Sequence, residues 1–276
     1  MTMDIQNLIV IGLLLVIAGA AVGFLAGLFG VGGGAVSVPV LYETFGAMNL
    51  DAAVQMPLAV GTSLALIVPT SLQSARGHYL RGAMDVPVLR RWALPIVMAV
   101  LAGAVVARHA DPWVFKVAFI LVAGVVSAKL LRGAGWSIAD TLPGKALMSA
   151  YGAAIGFVSA LMGIGGGAIS NLVLSLYGTP IHRAIATSAG VGVLISVPAT
   201  LGYVYAGWGK PGLPSDAIGY ISTLAFLCLL PTSFLTARLG VSVAHQLSKR
   251  RLEVLFGLFL LIVCSRFAYD VLISSL

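Results

Sequence analysis

Three glycines in succession occur twice in this chain, as Gly32-Gly33-Gly34 and Gly165-Gly166-Gly167, and both runs lie inside apolar sequence. Each glycine in a helix costs about 1 kcal/mol relative to alanine, so a triple run requires compensation. One compensation is mechanical: a hinge, or a close crossing at which small residues let backbones touch. The other is chemical. An unwound segment that starts a half-helix presents free N–H groups with about half a positive charge, and these attract anions. Two runs, each followed by a short apolar piece, favour the chemical reading, a substrate site.

Few polar side chains lie near these points. Ser37 and Ser170 occupy matching places after the two runs, and Asn171 follows the second. Thr62 with Ser63, and Thr187 with Ser188, form another matched set. Such hydroxyls either bond back to their own helix carbonyls or donate to an oxyanion whose charge the helix ends hold. Pro39 and Pro198 are expected to shape breaks rather than touch a ligand. Glu43 reads as a residue at headgroup level, with proton carriage as the alternative. Arg266 and Asp270, four apart in the last span, read as a structural pair. That leaves no free buried cation, so a bound anion should carry one net negative charge or be a dianion accompanied by a cation.

Other chemistries find little material. His78, His109, His182 and His245 fall at loops or span ends, without metal-ligand spacing or a completing cysteine or carboxylate. His182-Arg183 could still gather anions at the cytoplasmic mouth. Hydrolysis within the membrane would need a nucleophile and a base inside the spans; no histidine is expected there, and we expect neither an enzyme nor a cofactor. Cys228 and Cys264 lie in apolar stretches and read as packing residues.

The elements that must position these residues are membrane helices. Of the 276 residues, 59% are hydrophobic and 9% charged, with mean hydropathy +1.04; a soluble domain carries about 25% charged residues. At about 20 apolar residues per span, the length allows roughly eight to ten crossings. The net charge of +7 is scattered between apolar runs, which suggests cytoplasmic loops and a lipid bilayer as partner rather than nucleic acid. Spans read as 8–29, 56–73, 92–106, 113–131, 146–162, 185–206, 218–237 and 252–272, with short apolar pieces at 35–45 and 168–177 after the glycine runs.

The chain is duplicated. Residues 23–35 (GFLAGLFGVGGGA) over 156–168 (GFVSALMGIGGGA) give 8 identities in 13 positions, at an offset of 133. Further on, Val60-Gly61-Thr62-Ser63 matches Ile185-Ala186-Thr187-Ser188 at an offset of 125. This divides one membrane domain into a first repeat, 1–135, a cytoplasmic linker, 136–145, and a second repeat, 146–276. If each short piece completes a crossing, each half has five and the repeats are inverted. Twelve Lys and Arg (Arg76 and Lys145 among them) then fall on one side, against Arg108, Lys116 and Lys210 on the other. That split obeys the positive-inside rule. The expected fold is therefore an all-α polytopic membrane protein of two inverted repeats with short half-helices after Gly-rich loops, a frequent plan for secondary transporters.

The doubled pattern of Gly, an apolar residue, Gly-Gly-Gly, a short apolar stretch with Pro39, then Thr-Ser downstream resembles the sulfite exporter TauE/SafE family over nearly the whole chain. The resemblance implies a bacterial inner-membrane permease for sulfur-containing anions such as sulfite or organosulfonates. It carries over the two glycine runs, Pro39, Thr62, Ser63, Thr187 and Ser188; Leu172 stands where the first half has Pro39. H+ and Na+ are the candidate coupling ions, and the sequence leaves the oligomeric state open. Export by alternating access leads, ahead of uptake of an organic sulfonate or carboxylate, and of a non-transporting scaffold, which has no need of matched broken helices.

Overall fold

A computed structural model describes residues 5–29, 33–133 and 138–274, and among these every named element is a helix. In chain order they are α1 (Ile5–Phe29), α2 (Gly34–Ala47), α3 (Ala52–Leu80), α4 (Val86–His109), α5 (Pro112–Arg132), α6 (Lys145–Met162), α7 (Gly167–Leu176), α8 (Ile181–Gly207), α9 (Thr223–Gln246) and α10 (Lys249–Ser274). Eight are long and apolar enough to cross a membrane. The exceptions, α2 with 14 residues and α7 with 10, cover only about 21 and 15 Å at 1.5 Å per residue. The chain is a multi-pass membrane protein, and its large apolar side chains face outward as freely as inward: Leu94, Leu121, Leu227 and Ile262 are all exposed.

Close packing rests on small residues. Gly19, Gly23 and Gly27 let α1 lie directly against α9, where a Cβ on Gly23 would overlap the Ser233 carbonyl. The same device recurs in the second half. A Cβ on Gly152 would fall 2.9 Å from the Trp92 ring, and one on Gly156 2.6 Å from the Ile96 carbonyl, so α6 lies against α4. Gly19 and Gly23 match Gly152 and Gly156 at the offset of 133. The partners exchange as the halves exchange: α1 pairs with α9 as α6 pairs with α4, α2 packs on α3 as α7 packs on α8, and α3 with α8, like α5 with α10, pair across the halves.

The helix break lies at glycine, not at proline. Pro39 sits inside a continuous α2 and Pro198 inside a continuous α8, so neither shapes a break as expected. Proline removes one donor and presses on the carbonyl four residues back, which a buried membrane helix accommodates. Gly33, by contrast, has φ of 82° and Gly166 of 68°, a region that costs a residue with a Cβ about 1–2 kcal/mol. Each is the N-cap of its short helix. At Gly33 the chain lies back beside Ala26 of α1, and at Gly166 it lies beside Ser159 of α6.

Candidate functional site

The two breaks meet. A Cβ on Gly34 would lie 2.8 Å from Ile164 Cα and 2.9 Å from the Gly163 carbonyl oxygen, with Ile67 of α3 on its other side. Gly165 packs against Ile67 and Gly192 of α8. Points far apart in sequence, at matching places in the two halves, thus touch in the interior. Between their first turns and α5 and α10 lies a void of about 20 Å³, lined by Ala35 and its counterpart Ala168 among other apolar residues. A void of that size holds about one water.

Both short helices open at this junction. The first turn of a helix has N–H groups without intrahelical acceptors. In α2 the Val36 and Ser37 N–H groups donate to the Gly33 carbonyl at 3.0 and 2.8 Å. In α7 only Ser170 has the corresponding bond, to the Gly166 carbonyl at 2.8 Å. Gly34 and Ala35, and Gly167, Ala168 and Ile169, keep N–H groups with no acceptor among the described residues. Gly32 lies outside the described residues.

The hydroxyls form matched pairs. Ser37 and Ser63 are 2.5 Å apart, and Ser63 donates to the Gly163 carbonyl at 2.8 Å, tying α3 to the other half's break. In the second half Ser170 donates to Ser188 at 3.0 Å and to the Gly166 carbonyl at 2.7 Å. A further pair, Ser71 with Ser196 at 3.2 Å, joins α3 to α8; these two match at the offset of 125 and so mark where the halves face each other. That pair escaped the sequence reading, although the offset could have found it.

Thr62 and Thr187 do other work. Thr62 accepts from the Ser222 N–H at 3.1 Å, and Thr187 from the Asp85 N–H at 2.9 Å. Ser222 and Asp85 are the N-caps of α9 and α4. Each threonine thus fastens the start of a neighbouring helix, while the adjacent serine, about 100° further around the helix, faces the glycine junction. Near Thr62 the chain before α9 packs closely enough that burial pushes the Tyr220 phenol above its ordinary pKa.

A second polar cluster joins α2, α5 and α10. Asp270 accepts from the Tyr42 hydroxyl at 2.8 Å and pairs with Lys116 at 3.3 Å and with Arg266. Arg266 also pairs with Glu43 at 3.1 Å. The Arg266–Asp270 pair is as read from the sequence, but Lys116, counted there among the charges of the outer side, is only 8% exposed, a buried cation where none was expected. Its charge is committed to Asp270, and its ammonium lies 4.8 Å from the Tyr42 ring centroid. The four charges sum to zero. Among the described residues no three of His, Cys, Asp and Glu cluster as a metal site would require.

Residues 15–267 match the family described as Sulfite exporter TauE/SafE. A probable membrane transporter protein of Haemophilus influenzae is 33% identical over 252 residues, covering 91% of this chain and 96% of the relative. One from Methanocaldococcus jannaschii is 28% identical over 260 residues, with coverage of 90% and 95%. Another, from Bacillus subtilis, is 23% identical over 282 residues, with coverage of 95% and 98%. No solved structure matches.

Proposed function

The chain belongs to the sulfite exporter TauE/SafE family, and from that premise we propose that it moves a small sulfur-containing anion, sulfite or an organosulfonate, across the bacterial inner membrane by alternating access. The observation that carries this reading is the junction of two glycine breaks, where both short helices open their N-termini toward one buried place. A scaffold would have no use for paired unmatched N–H groups in the interior. Inverted repeats fit the exchange of packing partners between the halves and the positive-inside charge split; the substrate would sit between them, as in other transporters built from broken helices.

The charge of the substrate follows from the donors. The junction offers backbone N–H groups and hydroxyls, and the buried cation Lys116 is neutralised by Asp270. The desolvation cost of an ion grows with the square of its charge, so a dianion faces about four times the cost of a monoanion at such a site. The substrate is carried with one net negative charge, as hydrogen sulfite or a monosulfonate, or as a dianion accompanied by H+ or Na+.

Flux assays in proteoliposomes with sulfite, a monosulfonate and a carboxylate test this. Saturable transport of the sulfur anions is expected. Raising the pH through the second ionisation of sulfite should slow sulfite while leaving the monosulfonate rate almost unchanged. Absence of flux for every anion would overturn the transport reading, and faster sulfite flux at high pH without dependence on H+ or Na+ would overturn the charge argument.

A further inference from the structure

The two breaks match in backbone but not in side chains. Ser159, in the last turn of α6, stands where the first half has Ala26, and Asn171, one turn into α7, stands where it has Val38. Ser159 is fully buried. Its Oγ would lie 3.2 Å from a Cβ on Gly166, the N-cap of α7, among Ile155 and Ile195. Among the described residues neither Ser159 Oγ nor the buried Asn171 Oδ1 has a hydrogen-bond partner. A buried hydroxyl or amide without a partner is costly, and α-helical serine ordinarily avoids that cost by bonding a carbonyl of the preceding turn. Ser170 does so in this chain; Ser159 does not.

Gly34, at the start of α2, is closed in by Ile164, the Gly163 carbonyl and Ile67, whereas no described residue lies within 4 Å of a Cβ on Gly167 at the start of α7; residues 30–32, the counterparts of 163–165, lie outside the described residues. Asn171 follows Gly167 by four residues and so shares its helix face. The Ile169 N–H has no acceptor among the described residues, where its counterpart Val36 is bonded. Unmatched N–H donors and two unpartnered buried polar atoms therefore coincide at the start of α7, where the first half has Ala26 and Val38 in place of Ser159 and Asn171.

We propose that the anion is held by the second half, at the first turn of α7, with the Ser159 hydroxyl and the Asn171 carboxamide completing its coordination. The ligand is a singly charged oxyanion: N–H groups and the hydroxyl serve its charged oxygens, and the amide takes a remaining donor or acceptor. The start of α2, closed by the second break, is packing that holds the junction together. This inference rests on the transport reading above and assigns its site to one half.

Thermal unfolding of the full chain in detergent, with and without sulfite near pH 6, and sulfite flux in proteoliposomes test it together. Ser159→Ala removes an unsatisfied buried group, so without sulfite its Tm should equal or exceed that of the parent protein. Its sulfite-induced Tm rise should shrink, and its half-saturating sulfite concentration should increase roughly five- to tenfold. Asn171→Val, which installs the first half's residue, should act in the same direction. Ala26→Ser should leave saturation unchanged. A lower Tm in Ser159→Ala with parental sulfite saturation would make Ser159 structural and overturn the assignment; equal weakening by Ala26→Ser would overturn its restriction to one half. A parent protein that moves no anion would instead sink the transport reading, and this site with it.

Discussion

At the scale of single residues, equivalence under the repeat does not mean equivalence in role. Gly34 and Gly167 are matched, yet a Cβ on Gly34 would meet Ile164 and Gly163 backbone within 3 Å, while no described residue lies within 4 Å of one on Gly167. Gly34→Ala should force Gly163 and Ile164 apart and lower the Tm. Gly167→Ala should raise it slightly, since alanine is favoured over glycine in a helix by up to about 1 kcal/mol. Equal thermal shifts for the two variants in a melting assay would show that the junction is looser than these contacts imply. Thr62 extends the point. Thr62→Val leaves the Ser222 N–H without its acceptor, a loss of about 1–3 kcal/mol for a buried donor, so an unfolding midpoint should fall even where anion binding is untouched.

At the scale of elements, the helices are held by two different means. Glycines and alanines spaced four apart bring α1 onto α9 and α6 onto α4, as dispersion contacts require when lipid is as apolar as the protein. The short helix α2 is also pinned by ions, through Tyr42 and Glu43 to Asp270 and Arg266 of α10 and indirectly to Lys116 of α5. The residues of α7 matching Tyr42 and Glu43 are Ser175 and Leu176, so the second half lacks this fastening. Asp270→Asn strands Lys116, whose side chain is 11% exposed, and breaking such a buried pair costs about 3 kcal/mol or more. Glu43→Gln, with a side chain 53% exposed, should cost less than about 1 kcal/mol. Denaturation of the two variants side by side checks this order, and a larger loss for Glu43→Gln would reverse it.

At the scale of the whole molecule, the duplicated breaks and the charge split point to one topology, with both termini outside. Single cysteines replacing Arg76, Lys145 and Lys249, in a background without Cys228 and Cys264, should react with impermeant reagents only from the cytoplasmic side. Labelling of any two from the periplasm would overturn this topology. Docking of the linker, where the Ile138 N–H reaches the Leu176 carbonyl at 2.8 Å, places that segment against the end of α7. A shift of α7 during transport would therefore be felt at the connection between the halves.

The sequence by itself determined the class, the spans and the duplication, because hydropathy acts on whole segments and an internal repeat is visible as identity at a constant offset. It also located both breaks, since three successive glycines are costly in any helix. Span ends moved by several residues, as with α3, which runs from Ala52 to Leu80, because a helix continues past the apolar run wherever its backbone is satisfied. Which hydroxyl serves which purpose was decided only in three dimensions. Thr62 and Ser63 are neighbours in sequence, but helical rotation turns them to different partners, and those partners arrive from the other half. The same holds for Lys116, whose burial depends on Asp270 from more than 150 residues away. Ser159 reads in sequence as one small residue exchanged for another; only its buried place beside Gly166, without a hydrogen-bond partner among the described residues, sets it apart.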